Sequence, residues 1–140
     1  MAKFITRKLA VSPTFREIDM MGMLHNCVYF EWFERGRLQI MNDIIQFSEM
    51  QNLGIAIPVL ENSCTYEEAV RYGDELLLIT KHKVCEEYTG KLEFTHDLIN
   101  SKTRRHHAYG KCVCGLMDMR TFRLVRQPGA EIWEKYRKII

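Results

Sequence analysis

The chain has 140 residues, 46% hydrophobic and 27% charged, with a formal net charge of +2 at pH 7. That length is one domain's worth, and residues 1–140 read as a single domain; the near-neutral balance excludes a polybasic nucleic-acid surface, and the apolar content excludes a disordered chain. The five cysteines are odd in number and "MAKFITRKLAVSP" lacks the apolar run of a secretory leader, so reduced thiols and a cytoplasmic location are expected. No stretch approaches the roughly 18 apolar residues of a membrane span.

Residues 3–11 read as a strand, with Phe4, Thr6, Lys8 and Ala10 alternating against Ile5, Arg7, Leu9 and Val11 until Ser12-Pro13 stops it. A methionine-rich loop follows, with Gly22 at a turn. Asn26 then stands before "CVYFEWFERGRLQIMNDIIQF", the long helical candidate of the first half. Its apolar residues, from Val28 through Trp32 and Phe33 to Ile44, spread over much of the circumference, as in a helix that something wraps. Glu31 and Arg35 stand at ion-pair spacing, worth only about 0.2–0.5 kcal/mol when exposed, so burial must stabilise this helix. Gly36 would admit a close neighbour.

Asn52-Leu53-Gly54 predicts a left-handed helix end. After it the pattern changes to strands: 55–70 with Pro58 near its start or at a bulge, 76–87, 91–99 and 106–119, separated by the turns "RYGDE", "YTG" and "NSKTRR". Such short connections imply antiparallel pairing. The C-terminal "PGAEIWEKYRKII" is a short amphipathic helix with Ile132, Trp133, Tyr136 and Ile140 on one side. The economical arrangement is α+β, a curved antiparallel sheet of about five strands wrapped around one long central helix.

Two stretches carry a resemblance to a known family. "DMMGMLHNCVYFEWFERGR" resembles the active-site signature of the 4-hydroxybenzoyl-CoA thioesterase-like acyl-CoA thioesterases, and "GIAIPVLENSCTYEEAVRYGDEL" resembles their segment between the helix and the following strand. The resemblance implies a hotdog fold and an acyl-CoA substrate, with CoA part of the substrate and no separate cofactor. It also implies a homodimer, often paired into a homotetramer, with each site built between subunits. Asp19 would be the catalytic carboxylate, as nucleophile or as general base. The backbone N–H of Asn26, at the start of the helix, would stabilise the oxyanion.

His25 would orient the carboxylate, the thioester or the water. Relatives often carry His-His or Tyr-His where this chain has His25-Asn26. Tyr29 occupies the family's usual tyrosine position, as a hydrogen-bonding or pocket-lining residue. Met20, Met21 and Met23 are candidates for an adaptable acyl wall. Arg71, Arg104 and Arg105 are candidates for the CoA phosphates. Glu31 and Glu34 are ion-pair partners on the helix, although another hotdog branch places its catalytic carboxylate there. Cys112 and Cys114 face one side of a strand but match no standard metal spacing, so no metal is expected. The alternatives are a thioesterase for acyl groups on a carrier protein, or a non-catalytic acyl-CoA binding module.

Overall fold

In the computed structural model, which describes residues 2–140, the apolar stretch after His25 forms α1 (Asn26–Ile44). Against it lies a five-stranded antiparallel sheet of β1 (Phe4–Val11), β3 (Val59–Tyr66), β4 (Leu76–Lys83), β5 (Leu92–Asn100) and β6 (His106–Cys114), ordered β1-β4-β5-β6-β3. Alternation sets the inner face. Leu76, Leu78, Thr80 and His82 of β4, Phe94, His96 and Leu98 of β5, and Ala108, Gly110, Cys112 and Cys114 of β6 are all buried. Phe33, fully buried, lies across Gly110, where any Cβ would collide with its ring, and stacks on His96, the cross-strand partner of Gly110, at 4.5 Å between centroids. On the same helix Gly36 lets α1 settle against Thr80.

Several expectations change. The long helix ends at Ile45, which is extended at φ −153°, and a separate α2 (Phe47–Leu53) follows, closing in left-handed Gly54 as expected. Residues 55–70 are not one strand: Pro58 separates β2 (Ile55–Ala56) from β3, and pairing stops at Tyr66. Nor does β3 neighbour β4; it crosses to the far edge and pairs with β6. A small second sheet, β2 with β7 (Met117–Asp118) and β8 (Arg123–Leu124), was not foreseen, because two-residue strands leave no periodicity to read. Glu31 and Arg35 do not appear among the ion pairs of the described residues.

The C-terminal helix, α3 (Ala130–Ile139), is fastened by an ion pair from Lys135 to Glu49 of α2 and by a polar chain through Tyr136. The Glu93 carbonyl can only accept, so His82 carries its proton on Nδ1 and donates there at 2.9 Å. Tyr136 O–H then donates to His82 Nε2 at 2.9 Å and accepts from the Cys85 amide at 2.7 Å. Tyr136→Phe removes both contacts of that oxygen and should cost about 1–3 kcal/mol in urea unfolding.

Burial holds the His82 imidazole below its ordinary 6.5, and burial followed by the Arg37 charge holds His96 down to about 3. The unfolded chain therefore takes up these protons first as pH falls. Their contribution to stability is complete above about pH 6.5 and is lost on acidification toward the folded values. A urea midpoint that drops as pH is lowered past 6.5 is the expected result; a midpoint rising on acidification would contradict it.

Candidate active site

The loop after β1 folds back on itself like a miniature hairpin. Ile18 and Leu24 form an isolated antiparallel bridge, the His25 amide donates to the Glu17 carbonyl at 2.8 Å, and the Leu24 amide donates to Val70 O at 2.9 Å. At the tip, the Asp19 amide donates to Met23 O at 2.8 Å and the Gly22 amide to Asp19 O at 3.0 Å. The tightness of this turn puts Gly22 at φ +80°, a conformation that suits glycine.

The carboxylate of Asp19 is held by the same turn. Its Oδ1 accepts the amides of Met21 at 2.8 Å and Met23 at 3.2 Å. No hydrogen bond within the described residues engages Oδ2. The carboxylate is thus fixed at one oxygen and available at the other, which is the arrangement a general base or nucleophile needs.

His25 is the N-cap residue of α1 but makes no side-chain cap bond. Its carbonyl takes the Val28 amide at 3.0 Å, and the amides of Asn26 and Cys27 have no backbone acceptor among the described residues. Those first-turn amides, at the positive end of a 19-residue helix, are competent donors to a developing oxyanion.

A cleft of about 400 Å³ brings these groups together. Asp19, Met21, Met23, His25, Asn26 and Tyr29 all line it. Tyr29, 3% exposed, meets Tyr66 edge to face at 4.8 Å, and its phenol is pushed up to about 12, chiefly by burial and then by Cys64. It is a neutral, wall-forming phenol.

The remaining candidates lie elsewhere. Met20 is fully exposed and outside the cleft, as are Arg71 and Arg104; Arg71 is engaged through its backbone amide with Asp74 Oδ2 at 2.9 Å, and Arg104 sits at φ 65° in the β5–β6 turn. Arg105 reaches the cleft indirectly, by a 3.0 Å ion pair to Glu68. Glu31 and Glu34 are exposed on α1 and do not line the cleft.

Tyr66, Glu67 and Glu68 do line it and were missed. Their only signal was "TYEEAV", which reads as the end of a strand. His107 explains the departure: its carbonyl takes the amides of both Glu67 and Glu68, and its Nδ1–H donates to Glu68 O at 3.1 Å, turning the chain away from β6 to form a wall.

A second, apolar cavity of about 50 Å³ lies under α3, lined by Met41, Ile44, Phe94 and Trp133. It adjoins the last turns of α1, whereas the Asp19 cleft adjoins the first. The two are therefore roughly 25 Å apart along the helix, and the cavity takes no part in the site. Among the described residues no three metal-ligating side chains converge, and no helix is long and apolar enough to cross a membrane.

Residues 13–134 match the model of the thioesterase-like superfamily. The chain belongs to that superfamily. The fold agrees. The DHNA-CoA thioesterase of Staphylococcus aureus superposes with a TM-score of 0.80 at 21% identity, covering 96% of this chain and 90% of that one. A 1,4-dihydroxy-2-naphthoyl-CoA thioesterase from Synechocystis gives 0.77 at 10% identity over 94% of each chain. These likenesses establish the hotdog fold. Among sequence relatives, a candidate acyl-CoA thioesterase of Bacillus subtilis (strain 168), YneP, is 27% identical over 84 residues, and the match spans 59% of this superfamily member and 59% of that relative.

Proposed function

We propose that this protein hydrolyses an acyl- or aroyl-CoA thioester to the free acid and CoA. The observation that carries the reading is Asp19, pinned through Oδ1 and free at Oδ2, in one cleft with the unpaired amides at the start of α1. As general base, Asp19 takes a proton from water while the water oxygen attacks the thioester carbonyl. As nucleophile, Oδ2 attacks directly and the resulting anhydride is hydrolysed. In either route the oxyanion is met by the Asn26 amide, the C–S bond breaks, and the CoA thiolate leaves and is protonated. His25 orients the reacting groups. The family membership and the CoA thioesters named for the solved neighbours support the substrate class.

CoA is part of the substrate, and the chemistry calls for no separate cofactor. Edge strand β3, with Val59, Leu60 and Tyr66 exposed, supports a homodimer in which a second copy pairs along it; the homotetramer is two such dimers paired again. The exposed hairpin bearing Arg104 and Arg105 suits CoA phosphates, and equally an acidic carrier protein.

A thiol-release assay over CoA esters of graded chain length and aromatic character tests the reading. Turnover of at least one CoA ester is expected. Tight binding with no thiol release would identify a binding module instead. A large preference for the same acyl group on a carrier protein would move the substrate class.

A further inference from the structure

The inner face of the sheet contains a charge without a partner. Arg37 is 4% exposed, its Nη1 has no hydrogen-bond partner, and it joins none of the ion pairs of the described residues. A guanidinium does not shed its proton in a protein, and a buried charge left unpaired is strongly unfavourable. Something near it should supply a negative charge.

The register of α1 on the sheet shows what that is. One turn before Arg37, Phe33 rests on Gly110; one turn after it, Ile40 packs in a cluster with Phe94, Cys112 and Cys114. Arg37 is thereby carried over the Cys112 end of β6. Cys112 and Cys114 are two apart on that strand and share a face, both almost wholly buried, with their sulfurs 3.7 Å apart, a distance suited to an S–H donating to a thiolate. No carboxylate lies on this inner face of β4, β5 or β6.

We propose that Cys112 is a thiolate in the folded protein, the counter-ion of Arg37, with Cys114 donating its S–H to it. The direction of the thiol equilibria agrees: the Cys114 hydrogen bond, opposed by burial and helped by Arg37, draws Cys112 below the ordinary thiol value, while the same bond and burial push Cys114 up as the proton holder. Arg37 acts through space, since neither sulfur is within hydrogen-bond reach of its Nη1.

The other titratable groups facing the pair add no competing charge. His96 of β5 is held down to about 3 by burial and Arg37, and so is neutral. His82 of β4 lies in the same cross-sheet row as Cys112 with Phe94 between them, and burial keeps it neutral too. Tyr136 of α3, bonded to His82, is a phenol pushed up to about 12 by burial.

Ultraviolet absorbance at about 240 nm, which distinguishes thiolate from thiol, tests this on the full chain titrated from about pH 5 to 9. The difference between wild type and Cys112→Ser should show one thiolate equivalent, with a midpoint below that of the unfolded chain. Arg37→Met should move that midpoint upward, to or beyond the unfolded value, and Cys114→Ala should move it in the same direction. Should Cys112→Ser fail to fold, the wild-type minus Arg37→Met difference carries the same readout, because with Arg37 gone Cys112 takes up a proton and no unpaired buried charge is left behind. No thiolate absorbance in the native protein below about pH 8.5, or a midpoint unmoved by Arg37→Met, would overturn the proposal.

Discussion

Asp19→Asn should lower kcat/KM toward the best CoA thioester by about 100- to 10,000-fold while the protein stays folded. The structure makes this substitution unusually clean. Both amides that fix the loop, from Met21 and Met23, are received by Oδ1, and an asparagine retains a carbonyl oxygen at that position. What the variant loses is the charge and basicity of the other oxygen. Asp19→Ala removes both and should add a loss of loop order, visible as a raised KM alongside the fall in kcat. Full activity in Asp19→Asn, with an unchanged circular dichroism spectrum, would eliminate Asp19 as the working carboxylate and leave the family assignment untouched.

The largest effect on stability is expected at Phe33. Phe33→Ala should cost about 3–5 kcal/mol in urea unfolding, because the ring is wholly buried and its loss leaves a space over Gly110 and His96 that the paired strands cannot collapse to fill. The reverse crowding, Gly110→Ala, should cost about 1–3 kcal/mol, since its new methyl must displace that same ring. Combined as Phe33→Leu with Gly110→Ala, the two changes relieve one another, and the double variant should be more stable than the sum of the single losses predicts. Strict additivity would show that the ring is not the obstacle. His96, stacked on Phe33, lies in the same contact, so part of any loss at Phe33 reflects a histidine left poorly packed.

The parts of the fold that were legible in the sequence are those with a sustained period. The apolar circumference of residues 28–44 announced a helix inside a curved sheet, and clean alternation in "KLEFTHDLI" announced β5. Local steric rules served too, as at Gly54. The errors came where a decision depends on distant partners. Nothing local in "VLENSCTY" indicates that β3 pairs across the sheet with β6 in preference to the strand that follows it.

The site divides in the same way. Asp19, His25, Asn26 and Tyr29 sit within eleven residues of sequence, on a loop and the helix it opens, so a linear motif could bring them together. Glu67 and Glu68 join the cleft through contacts to His107, and Tyr66 through its pairing with Ala108, some forty residues away, which no local pattern encodes. The same gap separates Arg105 from its Glu68 partner, so a residue proposed to meet phosphate is instead partly engaged in holding the cleft wall.

The turn that holds Asp19 has an evolutionary corollary. Met21 and Met23 secure the carboxylate with their main-chain amides alone, and both residues line the cleft. Those two positions are therefore free to vary in size and shape without loosening the reactive group, since any residue other than proline provides the same amide. If the cleft receives the acyl group as proposed, substrate preference can drift across descendants of such a scaffold while the position of the Asp19 carboxylate stays fixed.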